Sequence, residues 1–165
     1  QDDRRQYQED VALRSHAYSA RINGVPEPVT GLWLDHPQSI FYKLWAKAEL
    51  TERGEQRYHF MTLDLSSPEK NRFIIRVDPD CGTDLNGLGQ LLEEHETRKR
   101  QQLGKNRPIE PIRYPADNSD PWYFGQGHQY TILDAPWEGT VLTAAEVQRI
   151  HEEWQGGKTH QHGSN

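Results

Sequence analysis

Two aspartates separated by one residue, Asp78 and Asp80, are the side chains of this sequence best suited to chemistry. They follow an alternating apolar run, and side chains two apart at a strand end point the same way. Carboxylates placed together bind hard divalent cations, whose usual purpose in such sites is to hold a phosphate group. The pair therefore predicts a site for Mg²⁺ or Mn²⁺. In the alternative interpretation, Asp78 pairs with Arg76 or Arg72 and Asp80 caps the next helix.

A histidine and a third acid extend this candidate further along the chain. The order Asp78-x-Asp80, then His128, then Asp134 resembles the acidic–histidine–acidic layout of archaeo-eukaryotic primase and polymerase domains. The resemblance implies a metal-dependent enzyme acting on phosphate esters or nucleotides, with the first two acids as metal ligands and His128 as phosphate contact or acid–base group. It covers only these positions, and Pro79 stands where that layout has an apolar residue. On one extended strand His128 and Asp134 would lie about 20 Å apart.

Three adjacent aromatic residues, Trp122, Tyr123 and Phe124, form the second candidate. Gly125 and Gly127 follow them and permit a close backbone approach. Aromatic rings presented by a loop stack on bases, sugars or the side chains of a partner. The alternative is a loop folded over the core, with one ring filling a gap in the sheet.

The only cysteine, Cys81, stands at a predicted helix N-terminus, where a thiolate is stabilised. With His128 or His59 it would form the nucleophile–base pair of a thiol enzyme. One cysteine excludes an internal disulfide framework. Since no signal-peptide pattern opens the chain either, the sequence predicts a cytoplasmic protein; the alternative is a secreted protein that needs no disulfides.

Composition limits the classes of partner. The chain has 165 residues, 33% of them hydrophobic, and a net charge of -6, and its mean hydropathy is -0.98. The negative charge does not favour nucleic acid as partner, although Arg98, Lys99 and Arg100 form a local basic cluster. Because no apolar run reaches the roughly 18 residues of a membrane span, we expect no membrane partner.

The elements that must position these residues are predicted from periodicity. Alternating apolar residues predict strands over 41–50, 57–65, 73–77 and 128–133, the first two forming a hairpin. Leucines three and four apart predict a helix over 84–103. Thr143 and Glu146 have the spacing of a capping box, which predicts a second helix over 144–155. The sequence thus indicates an α+β fold, with an antiparallel sheet of four to six strands and these two helices packed on one face.

One domain is expected over residues 1–157, since this length buries a sufficient core. A helix over about 4–16 is predicted, or else a mobile arm over 1–10. Asn23-Gly24 predicts a hairpin turn, Gly156-Gly157 should end the last helix, and 158–165 should be a disordered tail.

The leading hypothesis is a non-catalytic binding or accessory module that contacts a protein or polymer through the aromatic loop and requires no cofactor. The alternative is the metal-dependent enzyme described above. In either case we expect the acidic turn between the sheet and the first long helix to lie close to the aromatic loop, so that whatever is recognised is bound there.

Overall fold

The computed structural model describes residues 2–20, 27–78, 80, 84–105 and 112–164. Its helices are α1 (Asp2–Leu13), α2 (Tyr42–Ala48), α3 (Asn86–Gln102) and α4 (Ala144–Ser164). Its strands are β1 (Ser15–Ala20), β2 (Val29–Asp35), β3 (Phe60–Asp64), β4 (Phe73–Val77) and β5 (Ile132–Asp134). A short 3₁₀ turn, Gln126–His128, precedes β5. Cys81 and the predicted Asn23-Gly24 turn lie outside the described residues.

The five strands form one sheet in the order β1-β2-β3-β4-β5. β2 and β3 are parallel, whereas the other neighbours are antiparallel. The predicted α+β class is confirmed, but the prediction of a purely antiparallel sheet is wrong because the sheet is mixed.

The mixed sheet follows from the conformation of the segment predicted as a strand over 41–50. Tyr42–Ala48 is helical, so a helix and not a hairpin connects β2 to β3. Parallel neighbours need such a crossover, because the chain must return to the same end of the sheet. Alternation is not decisive here, since Tyr42, Trp45 and Ala46, three and four positions apart, are the residues of this helix that pack inward.

The two faces of the sheet support two separate cores. Phe73, Ile75 and Val77 of β4 belong to a cluster that also contains Leu88 of α3 and Ile150 of α4. We call this cluster the α3–α4 core.

On the other face, Leu32 and Leu34 of β2 and Met61 and Leu63 of β3 pack with Tyr7 of α1 and Ala46 of α2. We call this cluster the α1–α2 core. Successive residues of a strand point to opposite faces, so β2, β3 and β4 contribute to both cores.

The ends of the chain are helical where the structure describes them. Residues 2–10 belong to α1, with Tyr7 and Asp10 buried. The capping box is confirmed, because the Thr143 amide donates to Glu146 and the Glu146 amide donates to Thr143 Oγ1. The predicted helix end at Gly156-Gly157 is wrong, since α4 continues to Ser164. Glycine costs about 1 kcal/mol in a helix but keeps its backbone hydrogen bonds. The disorder predicted for 158–165 stays a prediction.

Candidate functional site

The predicted acidic turn begins directly after the end of β4. Asp78 Oδ1 accepts a hydrogen bond of 3.0 Å from the Asp80 amide, and the exposed Asp80 carboxylate lies 3.6 Å from Lys47 Nζ. Among the described residues, neither Arg76 nor Arg72 forms an ion pair with Asp78. Asp80 does not cap α3 either, because α3 begins at Asn86, whose amide donates to Asp84. The predicted Mg²⁺ or Mn²⁺ site at this turn stays a prediction.

Asp78 lines a cavity beneath α2. The cavity lies at the end of the sheet where β4 ends and β3 begins. The Asp78 amide donates to the His59 carbonyl at 3.1 Å, which joins the two strands there. The cavity encloses about 180 Å³. Its lining residues are Lys43, Ala46, Lys47, Gln56, Tyr58, His59, Phe60, Met61, Arg76, Val77 and Asp78. We call it the α2 cavity.

Positive charge predominates in the α2 cavity, since Lys43, Lys47 and Arg76 face a single carboxylate, that of Asp78. The charge of Arg76, followed by desolvation, lowers the pKa of Lys43. Throughout the described part of the chain, no carboxylate lies within 4.0 Å of the Lys43 or Arg76 side-chain nitrogens.

Buried polar atoms at the cavity also lack partners. Arg76 Nε, His59 Nδ1 and Asp78 Oδ2 are each buried and form no hydrogen bond among the described residues. A buried polar group that is left unsatisfied costs about 1–3 kcal/mol. These atoms are therefore suited to a ligand that restores their hydrogen bonds.

Helix α1 fixes the position of α2. The Asp3 carboxylate accepts hydrogen bonds from the Ile40 and Phe41 amides and from the Trp45 indole, at 2.8, 3.0 and 2.8 Å. It thereby caps α2 from another helix, because Phe41 has no side-chain cap of its own. Desolvation raises the pKa of Asp3, but these hydrogen bonds and one from Ser39 together lower it far below its ordinary value.

Asp10 secures the residues that precede this cap. Its buried carboxylate accepts hydrogen bonds from the Gln38 and Ser39 amides at 2.9 and 2.8 Å. Arg14 forms an ion pair with it at 2.9 Å. Two acids of α1 thus hold residues 38–41. Sequence reasoning missed this role, because acids and partners are separated by 28 to 38 positions.

The aromatic loop belongs to the other face of the sheet. The Trp122 side chain is 1% exposed and lies in the α3–α4 core, against which Phe124 also packs. Tyr123 lies under the Arg113 guanidinium, 5.5 Å from its ring centroid. Asp78 lines the α2 cavity and Trp122 lies in the α3–α4 core; the expectation that the acidic turn and the aromatic loop lie close together stays a prediction.

Of the two glycines of this segment, Gly125 is required by the backbone conformation. Gly125 has a φ of 66°, and a Cβ there would approach the Ile132 carbonyl to 2.6 Å. That glycine is therefore needed for the turn onto β5. At Gly127, by contrast, none of the described atoms lies within 4 Å of the position that a Cβ would take. His128 ends the 3₁₀ turn and is not on one strand with Asp134; its ring lies outside the described side chains.

A buried carboxylate that sequence reasoning missed, Glu96, binds the loop to α3. It accepts hydrogen bonds from the Trp122 indole at 3.0 Å, from the Val141 amide at 3.1 Å and from the Thr140 hydroxyl. Arg100 Nε donates to it at 2.8 Å. A glutamate and an arginine four apart on a charged helix usually indicate a solvated pair, so the sequence gives little signal for this buried group.

A second acidic cluster lies at the opposite end of β2 and β3. Ligand atoms of Asp35, His36 and Asp64 lie within 4.8 Å of one another. His36 Nδ1 contacts Asp35 and Nε2 contacts the Ser66 carbonyl, each at 2.5 Å. The Ser66 contact and the Asp35 carboxylate raise the pKa of His36, whereas desolvation opposes them. Both ring nitrogens are engaged, so the cluster serves the local turn.

Comparisons with protein-family models, with curated proteins and with solved structures find no match for this chain. Within the described ranges, none of the helices combines the length and the apolarity that a membrane crossing requires.

Proposed function

We propose that this protein is a non-catalytic binding module whose α2 cavity holds the anionic group of a small, partly apolar ligand. The observation that carries the proposal is the pair of cations, Lys43 and Arg76, that meet in the cavity without a carboxylate partner among the described residues. Like charges held near each other raise the free energy of the unliganded state. An anion between them would remove this cost and accept their hydrogen bonds.

The rest of the lining supports a ligand with an apolar body. Ala46, Phe60, Met61 and Val77 contribute apolar surface beside the charged groups. Sites for drug-sized ligands usually enclose about 300–1,000 Å³. The α2 cavity, at about 180 Å³, would therefore take a group no larger than one ring or a short acyl chain. Carboxylates and phosphate monoesters of that size are the expected ligand class.

The first prediction concerns Arg76. Isothermal titration calorimetry with phenyl phosphate and with benzoate should give binding heat, weakened by added salt because the contacts are ionic. Arg76→Gln should weaken binding at least tenfold, since it removes the charge next to Lys43.

Arg98→Gln is the matched control, because Arg98 is an exposed arginine on α3 and its loss changes the net charge equally. It should bind as the unmodified protein does. Absence of heat with both anions, or equal losses in the two variants, would refute the proposal.

A second candidate function is the predicted metal-dependent action on phosphate esters or nucleotides. The observation that favours it is the buried Asp78 Oδ2, which has no hydrogen-bond partner among the described residues and faces the cationic cavity. With Asp80 it would hold Mg²⁺ or Mn²⁺, which would neutralise phosphate charge. The cations of the cavity would bind the same phosphate.

The second prediction tests this candidate with the metal alone. Titration with Mn²⁺ should release heat that disappears in Asp78→Asn, since the amide cannot supply the anionic ligand. Asp84→Asn is the control, because Asp84 is exposed and contacts the Asn86 amide instead. No heat with the unmodified protein would remove the metal hypothesis and leave the anion-binding proposal intact.

The hypothesis that the aromatic loop contacts a partner stays a prediction. The burial of Trp122 and its bond to Glu96 favour a structural role for that ring. Cys81 is not part of either proposal.

A further inference from the structure

We infer that the anion held in the α2 cavity is carried by a protein segment, an acidic peptide with bulky apolar residues that docks along α2. This inference rests on the proposed anion binding. It adds the class of partner and a second contact surface beside the cavity.

Three large apolar side chains next to the cavity are exposed. Ile40, Phe41 and Leu44 are 77%, 57% and 58% exposed. Single exposed apolar residues are common on protein surfaces, but three within five positions form a patch that indicates an interaction site. We call these three residues the α2 ridge.

The α2 ridge adjoins the cavity lysines in the chain: Leu44 lies on α2, Phe41 is the residue that caps its N-terminus, and Ile40 precedes Phe41. Positions three and four apart lie on one side of a helix, which places Phe41 and Leu44 together. Lys43 and Lys47 lie on the neighbouring side and line the cavity. A ligand that places its anion between Lys43 and Arg76 can therefore extend over the ridge.

Charge complementarity identifies the occupant. The net charge of the chain is -6, whereas the cavity is locally positive. A locally positive site attracts acidic groups. A peptide carboxylate followed by leucine, isoleucine or phenylalanine would match the cavity and the ridge together. A nucleic acid would supply anions but would not cover three aliphatic or benzyl side chains as well.

The experiment uses a displayed library of random 12-residue peptides selected on the full chain. Recovered peptides should be enriched at least fivefold in Asp or Glu within four positions of a Leu, Ile or Phe. Phenyl phosphate should compete with the best peptide, and changing its acid to the amide should weaken binding at least fivefold.

Phe41→Ser combined with Leu44→Ser should weaken that peptide at least tenfold while phenyl phosphate binding stays unchanged. Leu103→Ser is the control, since Leu103 is 52% exposed at the end of α3. Unfolding midpoints of all variants establish that they fold.

No acidic–apolar enrichment, no loss in the double variant, or displacement of the peptide by oligothymidine would overturn the inference. Phenyl phosphate binding measured in parallel separates the two claims: if it persists, only the peptide inference fails, and if it is absent, the anion-binding proposal fails with it.

Discussion

At the scale of single residues, His151 is a buried histidine that must stay neutral. Its Nδ1 donates to the Val147 carbonyl at 2.8 Å, so Nε2 accepts from the Thr62 hydroxyl at 3.3 Å. The rings of Tyr18 and Trp33 surround it. Burial lowers the pKa of His151 to about 4, although the Val147 bond opposes this shift.

The third prediction follows from that pKa. In the unfolded chain His151 binds a proton near pH 6.5, and in the folded chain only near pH 4. Its effect therefore lowers the free energy of unfolding as the pH falls from 6.5 to 4, and adds no further loss below pH 4. At about 1.4 kcal/mol per pKa unit, His151 should contribute a loss on the order of 3 kcal/mol. Urea unfolding at intervals between pH 7 and 3.5 measures it.

His151→Gln should be less stable at pH 7 but should show a smaller decrease towards pH 4. The His95→Gln variant provides the comparison, because His95 is a partly exposed histidine of α3 whose ring pairs with Glu153. Equal pH dependence in the unmodified protein and in His151→Gln would contradict the buried, neutral histidine.

At the scale of elements, α1 holds the site indirectly. Asp3 caps α2 through the Ile40 and Phe41 amides, and α2 supplies two of the three cations of the cavity. A substitution at Asp3 should therefore weaken ligand binding in the cavity, although Asp3 does not line it.

The fourth prediction is that Asp3→Asn lowers the unfolding midpoint and weakens phenyl phosphate binding, because an amide cannot accept as many hydrogen bonds from the α2 terminus. The contribution of Asp3 is present above the pKa of the unfolded chain and is lost as the pH falls through its lowered folded pKa. Calorimetry and thermal unfolding at pH 7 measure both effects. Asp2→Asn, an exposed neighbour, should change neither.

The elements also show what could be predicted from the sequence. Local sequence signals were sufficient where the stabilising contacts lie within the element itself. Examples are the Thr143–Glu146 capping box of α4 and the apolar alternation of β4. The segment 41–50 has both a strand period and good helix formers, and its helix is capped by Asp3, about 38 residues earlier. No local pattern contains that information, so the crossover and the mixed sheet could not be predicted.

Of the residues at the candidate site, the sequence pointed to some and not to others. Asp78 was singled out from the sequence as a metal ligand at a strand end; it follows β4 and lines the cavity, and its metal role stays a prediction. Lys43 was not singled out, and Arg76 was considered only as an ion-pair partner of Asp78, because each is an ordinary charged residue until α2 packs across the strands. Trp122 was assigned to a binding surface because its partner, Glu96, is 26 residues away and looks solvated in the sequence.

At the scale of the whole molecule, the sheet separates two regions with different roles. The aromatic loop packs in the α3–α4 core through Trp122 and Phe124, and the hydrogen bond from the Trp122 indole to Glu96 holds it there. Helix α2, which packs on the α1–α2 core through Ala46, lines the cavity and carries Leu44 of the exposed ridge. We therefore expect changes in the first region to alter stability and changes in the second to alter binding.

The central claim, that the α2 cavity binds an anion, can be tested by one signal. Met61 is the only methionine of the chain and lines the cavity, so labelling its methyl group with ¹³C gives a single reporter. The fifth prediction is that phenyl phosphate shifts this resonance saturably in the unmodified protein and in Arg98→Gln, with at least tenfold weaker affinity in Arg76→Gln. A methyl resonance that stays in place at millimolar phenyl phosphate would contradict the account.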